Sequence, residues 1–286
     1  KNKLSFTADY YYKKTNDLLF PVSVPRQGGY TSVLQNIGSV ENKGFEFGLN
    51  FNLEKGDFSW NAFGNISFNR NKVLALANAD RFFGPSFGSG LVQKNGGSAT
   101  IIMVGEPIGV FWGNIFDGLW QTEEEFQAGH MSTNPNVGPG FENYRDIDGN
   151  EIFEEGVDET IIGNPHPDFE FGISNSFTYK DFDLSFLING VYGNDVFNAN
   201  TIELTSQVNV NNALKLYVDA WDGPGTSNTM FKNDRPSGRS GAFPNRVSSQ
   251  YIEDGSYVRL QNITFGYTIP LRLVNKLRAY VSADNL

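Results

Sequence analysis

The chain of 286 residues contains no cysteine, which excludes a disulfide framework, thiolate metal centres and thiol redox chemistry. It also lacks any apolar run approaching the roughly 18 to 20 residues that a membrane-crossing helix needs, and no basic stretch leading into a hydrophobic one opens it. Only strands closed into a barrel could carry this chain across a membrane. Positive charge is scarce: 22 Lys and Arg stand against 32 Asp and Glu, a formal net charge of −10. That balance argues against a nucleic-acid partner, whose phosphates call for clustered cations. The deficit is local, because between Asp117 and Thr160 twelve acidic residues meet the single Arg145. Histidine occurs only as His130 and His166, neither with a second histidine at ligand spacing, so surface positions account for both.

What is plentiful is aromatic, with 25 Phe and 12 Tyr, and it is ordered. From Gly44 to Leu53, Phe45, Phe47, Leu49, Phe51 and Leu53 alternate with Glu46, Gly48, Asn50 and Asn52, the period of a strand with one apolar face. After the turn residues Lys55-Gly56-Asp57 the alternation resumes through Phe58, Trp60, Ala62, Gly64, Ile66 and Phe68, predicting a hairpin. A second hairpin is predicted from Phe169 to Tyr179 and from Phe182 to Tyr192, turning at Lys180-Asp181. These strands exceed the ~5 to 6 residues usual in soluble sheets and reach the ~9 to 11 of membrane strands. Weaker candidates are 4–13, 98–104, 108–117, 257–268 and 277–286, for about nine strands in all. In 257–268 either face could point outward and a bulge is expected. Connections alternate between short (55–57, 105–107, 181, 269–276) and long (14–42, 71–97, 118–167, 195–256), as in outer-membrane barrels, whose two ends have different connection lengths.

Six phrases, in order along the whole chain, resemble the C-terminal barrel of SusC/RagA-type TonB-dependent transporters of Bacteroidetes. They are Asn36-Ile37-Gly38-Ser39-Val40-Glu41-Asn42-Lys43-Gly44-Phe45-Glu46; Gly105-Glu106-Pro107-Ile108-Gly109 with Phe116-Asp117-Gly118-Leu119; Tyr144 to Asn150; Ile162-Gly163-Asn164-Pro165 with Pro167 to Gly172; Tyr179-Lys180-Asp181-Phe182-Asp183-Leu184; and Asp254 to Leu260 with Gly266-Tyr267 and Pro270. The resemblance implies an all-β fold, an antiparallel transmembrane β-barrel of about 22 strands of which these nine are a fragment. It implies that residues 1–286 form the C-terminal portion of that barrel, with the plug and the N-terminal strands elsewhere. It further implies a bacterial outer-membrane location, a SusD-like surface lipoprotein and TonB as partners, and import of a bulky glycan or peptide without catalysis.

Several residue groups suggest chemistry of their own. Asp146, Asp148, Asn150, Ile152 through its carbonyl, and Asp158 have the D-x-D-x-N spacing of a calcium loop, in which alternate positions turn oxygens toward a hard cation. The fit is incomplete, since Glu151 holds the sixth position where glycine is standard and Val157 the twelfth where glutamate is. The plainer reading is an acidic, solvated turn. Gly84-Pro85-Ser86-Phe87-Gly88 matches a hydrolase elbow in letters but lacks the strand before and the helix after. Asn65-Ile66-Ser67 and Asn262-Ile263-Thr264 fit a glycosylation sequon by chance, inside predicted strands. Trp60, Trp112 and Trp120 fall near predicted strand ends, where aromatics form a girdle at the lipid boundary or stack on sugars; the girdle is the expectation for Trp60 and Trp112. Tyr217 and Trp221, in the longest loop, are candidates for contact with substrate or lid. The alternative to a transporter is a soluble β-rich carbohydrate-binding or adhesion module, in which the Phe45–Phe51 face would pack against a second sheet.

Overall fold

The computed structural model describes residues 3–23, 32–76, 80–85, 98–131, 137–154, 156–205, 214–232, 246–270 and 277–286. Three long strands come first, β1 (Leu4–Ser23), β2 (Ser32–Lys55) and β3 (Phe58–Leu76). Short elements follow: β4 (Arg81–Phe83), β5 (Thr100–Met103), β6 (Val110–Gly113), β7 (Phe116–Leu119), the helix α1 (Glu123–Ala128), β8 (Glu142–Tyr144) and β9 (Thr160–Gly163). The hairpin β10 (Phe169–Tyr179) and β11 (Phe182–Tyr192) precedes β12 (Asp195–Phe197), α2 (Ala199–Thr205) and β13 (Ile252–Asp254). The long β14 (Tyr257–Ile269) and β15 (Leu277–Asp284) end the series. These elements divide between two compact units, one of residues 1–77, 166–194 and 254–286, the other of residues 78–165 and 195–253.

The first unit is a seven-stranded antiparallel sheet in the order β1-β2-β3-β10-β11-β14-β15. Register sorts its side chains into two faces. One cross-strand row runs Leu53, Trp60, Phe177, Leu184, Phe265, Val281, and the next Lys55, Phe58, Tyr179, Phe182, Tyr267, Ala279. At the other end Tyr10, Phe45 and Phe68 form a row, with Phe169 and Tyr192 beside it. The opposite face carries Asn50, Phe63, Ser174 and Leu187 in one row and Asn52, Asn61, Ser176 and Ser185 in the next. The apolar face is open: Phe6 is 63% exposed, Phe45 50% and Leu49 47%, whereas a sandwich would bury them against a second sheet.

Spacing along the strands carries the same message. Phe58 to Phe68, Phe169 to Tyr179 and Phe182 to Tyr192 each separate the two aromatic rows by ten residues. At ~3.4 Å per residue and a tilt of ~40° this spans ~26 Å, the height of the apolar band of an outer-membrane barrel.

The structure departs from the sequence-based strand map in two places. Segments 98–104 and 108–117 are not long strands of this sheet. They hold β5 and β6, four residues each, in a second sheet ordered β4-β5-β6-β9, so the long sheet has seven strands rather than nine. Four residues extend only ~13 Å, and Gly105 and Gly109, at φ 97° and 77°, turn the chain between them. The expected loop 14–42 is largely strand, because β1 reaches Ser23 and β2 begins at Ser32. In Lys13-Lys14-Thr15-Asn16-Asp17 alternation vanishes, although Lys13 to Thr15 stay paired with β2 and pairing resumes at Leu18. Asp17, at φ 59°, sits at a register irregularity between Thr15 and Leu18. The expected bulge in 257–268 is present: β14 slips register between Leu187 and Ile188 of β11, leaving Gln261 between the paired Leu260 and Asn262.

The second unit has the opposite hydrophobic order. Trp120, Phe126, Met131, Phe141 and Tyr144 form one buried cluster, Ala99, Ile202, Val247 and Tyr251 a second, and Leu119, Met230 and Phe231 a third. Its aromatic side chains gather inside these clusters, while Val104, Ile152, Val157, Leu216 and Val218 stay exposed on its surface.

Candidate functional site: an acidic loop and an aromatic boundary

The acidic loop joins β8 to β9, and its start is fixed by Arg145. The Arg145 guanidinium donates from Nε (2.9 Å) and Nη2 (2.6 Å) to the two oxygens of Asp117 on β7, and this pairing raises its pKa. From there the loop folds around its own carboxylates. Asp146 accepts from the Gly149 and Glu151 amides, both at 2.7 Å. Asp158 accepts from Ile147 (2.8 Å) and Glu154 (2.6 Å), and its carbonyl accepts from Asn114 Nδ2 at 2.7 Å. Asn150 Oδ1 accepts from the Ile152 amide at 2.7 Å, while Nδ2 donates to Asp148 and Glu154.

This wiring brings one oxygen each from Asp146, Asp148 and Asp158 within 4.8 Å of one another. Asp158 is fully buried. Glu151 takes a left-handed φ of 66°, so a non-glycine residue makes the turn for which glycine is standard at this position. Partial desolvation works upward on the Asp146 carboxyl, but the Gly149 and Glu151 amides, then Asp148 and His130, outweigh it and hold its pKa below the usual range. A carboxylate oxygen that accepts one hydrogen bond keeps a second lone pair. The arrangement can therefore offer a hard cation three carboxylates, with Asn150 and Ile152 following in the same loop.

Residues remote in sequence brace the loop. Tyr144 and Phe153 stack at 5.8 Å, and the Arg246 guanidinium lies over both rings, at 5.6 and 5.0 Å. Nothing in the local pattern marks Arg246, which comes about a hundred residues later.

The four aromatic candidates separate. Trp60 lies on the apolar face of the long sheet beside the short β2–β3 turn, stacked on Phe177 at 5.6 Å, with its indole N–H donating to Asn175 Oδ1 at 3.0 Å. This bond satisfies the amide that the apolar face would otherwise leave unpaired. Trp112 corrects the expectation for it: it is on β6 in the second unit, donates to Glu159 at 2.8 Å and stacks under Arg81 at 5.4 Å. Its strand is too short to span a membrane. Trp221 is half-buried against Leu119, Met230 and Phe231, with its N–H donating to Gln121 at 3.1 Å, so its ring serves internal packing. The side chain of Tyr217, and Ser86 of the Gly84–Gly88 phrase, lie outside the described residues.

Comparison with known proteins agrees with this architecture. Residues 1–99 match the model of the family described as TonB dependent receptor-like, beta-barrel. TonB-dependent receptor P3 of Formosa agariphila is 37% identical over 291 residues, covering 100% of this chain and 28% of the relative. TonB-dependent receptor SusC of Bacteroides thetaiotaomicron is 28% identical over 91% of the chain and 24% of its own length. The structure of the RagAB peptide transporter shares the fold with a TM-score of 0.75 at 22% identity, over 99% of this chain and 30% of that one. The chain thus spans under a third of the length of the curated relatives it matches. With apolar-faced long strands and these relatives together, the chain belongs to the TonB-dependent receptors, as a stretch of outer-membrane β-barrel similar to those of SusC and RagAB.

Proposed function

We propose that this chain is the C-terminal part of the barrel of an active importer for a bulky nutrient, an oligosaccharide or a peptide. A plug and further strands belong to the rest of the protein, TonB supplies the energy, and a SusD-like surface lipoprotein covers the entrance. No bond is broken in the cargo. The observation that carries the reading is the contrast between the two units: aromatic side chains open on one face of the long sheet, and gathered into buried clusters in the connecting unit. A sheet with one apolar and one polar face suits a wall between lipid and a wet lumen. Its edge strands β1 and β15 would each leave backbone groups unpaired in lipid at several kcal/mol apiece, so other strands of the same barrel pair there. Trp60 marks the lipid boundary at the short-turn end. Membranes of cells producing the intact protein should release it only to detergent, with heat-modifiable gel migration. Release by a salt wash would sink the reading.

The acidic loop supports a second, independent assignment. Asp146, Asp148, Asn150, Ile152 and Asp158 form a calcium loop in the second unit, supported by the convergence of three carboxylates and by the left-handed turn at Glu151. Isothermal titration of the intact protein with calcium should give a saturable heat that Asp158→Asn abolishes. The absence of heat at about millimolar calcium, the weak end for such loops, would leave an acidic turn satisfied by its own amides.

A further inference from the structure

The polar face of the long sheet holds a cavity of about 280 Å³ to which import as such assigns no role. It is lined by Tyr11 of β1, Glu46 of β2, Ser67 and Asn69 of β3, Glu170 of β10, and His166 on the approach to β10. Register brings them together. Glu46 lies opposite Ser67 and Ser67 opposite Glu170, so two carboxylates flank one serine in a single cross-strand row. Asp9 lies opposite Glu46 and extends the row onto β1. With strands ~4.8 Å apart, Asp9 and Glu46 are immediate neighbours and Glu170 is ~10 Å from Glu46. Tyr11 forms the floor: it lies over Gly44, where a Cβ would come within 2.7 Å of its Cζ, and its hydroxyl donates to Asn69 Oδ1 at 2.8 Å.

Like charges opposite each other destabilise a sheet, and among the described residues no lysine or arginine pairs with Asp9, Glu46 or Glu170. Elsewhere on this face a carboxylate is matched, Arg278 holding Asp183 by two bonds of 2.9 and 2.5 Å. The unmatched row therefore suits a cation that the sheet does not supply. Its level on the sheet agrees. The neighbouring residues Phe45, Phe68 and Phe169 belong to the aromatic row at the long-connection end, where cargo from outside arrives first.

We propose that the cavity is a subsite for a cationic group of the cargo, a lysyl ammonium or an arginyl guanidinium of a peptide. The proposal rests on the import reading and narrows its cargo from a bulky nutrient to a basic peptide. The volume, just below the ~300 Å³ at which pockets for whole drug-sized ligands begin, takes one side chain. The ammonium would sit between Glu46 and Glu170 with the Tyr11 ring beneath it, where a carboxylate pair and an aromatic face act on the same charge.

The test uses the intact transporter in detergent at about 150 mM salt, where charges beyond ~8 Å are screened. Two probes are titrated, a pentapeptide with a central lysine and the same peptide with that lysine acetylated. The wild type should bind the lysyl peptide about tenfold more tightly. Glu46→Gln with Glu170→Gln should bring the two within about twofold without changing the affinity for the acetylated probe. Both glutamates are exposed, and heat-modifiable migration verifies that the double variant folds. Equal affinities in the wild type, the outcome if a cation of the protein itself fills the cavity, overturn the proposal. So does a preference that survives the double substitution. The import reading fails by a separate sign: cells producing the protein would accumulate neither peptides nor oligosaccharides faster than cells without it.

Discussion

Leu49 and Asn50 are consecutive in β2 but point to opposite faces of the long sheet, so an arginine at each tests the membrane assignment within one backbone step. Leu49 is four residues from Phe45 and four from Leu53, which mark the two ends of the apolar band on this strand. Four residues advance ~14 Å along the strand and ~10 Å along the membrane normal at a tilt of ~40°. Leu49 therefore sits near the bilayer midplane, where a lipid-facing arginine costs about 2–4 kcal/mol. At Phe45, near the boundary, the same change relative to alanine should cost about 0–1 kcal/mol. Asn50 faces the polar side, and an arginine there should stay within about 0.5 kcal/mol of alanine. The measurement is equilibrium unfolding of the intact protein in liposomes, followed by tryptophan fluorescence, with each arginine variant referred to the alanine variant at its own site. The order Leu49, Phe45, Asn50 is the signature. An Asn50→Arg cost equal to that of Leu49→Arg, or a Phe45→Arg cost above it, would refute both the depth scale and the assignment of faces.

Two further predictions concern single residues. Gly44→Ala would put a Cβ 2.1 Å from the Phe68 carbonyl oxygen and 2.6 Å from Tyr11 Oη. It should therefore destabilise the sheet by about 2–4 kcal/mol, the sum of overpacking and the loss of the Tyr11–Asn69 bond, as read from the same unfolding curves. The Asp254 carboxyl is held below its usual range by the Ser256 hydroxyl and amide. Its contribution should be complete above the unfolded pKa of about 3.9 and fade as pH falls through the lower folded value. Asp254→Asn should accordingly cost stability at pH 7 and nothing at the acid end; a gap independent of pH would disprove the linkage.

Where one side of a strand meets lipid, the sequence announces it, and where both sides meet water it does not. Gly44 to Leu53 and Phe169 to Tyr192 were legible as paired strands because each apolar side chain had to alternate with a polar one. The same rule fails for Lys13 to Thr15, which stay paired although nothing forces alternation above the band. It fails again at 98–117, where Ile101 and Val110 are buried in the small second sheet whose four-residue strands mimic membrane strands in composition. The motif phrases acquire physical reasons only in three dimensions. Gly44 is where Tyr11 crosses the strand, and Gly266 is where the Arg278–Asp183 pair crosses β14, since a Cβ there would lie 2.4 Å from Arg278 Nη2 and 2.5 Å from Asp183 Oδ1. The grouping of the Asp146, Asp148 and Asp158 carboxylates was visible in one dimension. Arg246, which braces the loop across about a hundred residues, had no local signal. Glu46 and Glu170 looked like ordinary polar members of two alternating strands. What singles them out is the register that puts both beside Ser67, and register between strands a hundred residues apart is set by the whole sheet rather than by either strand.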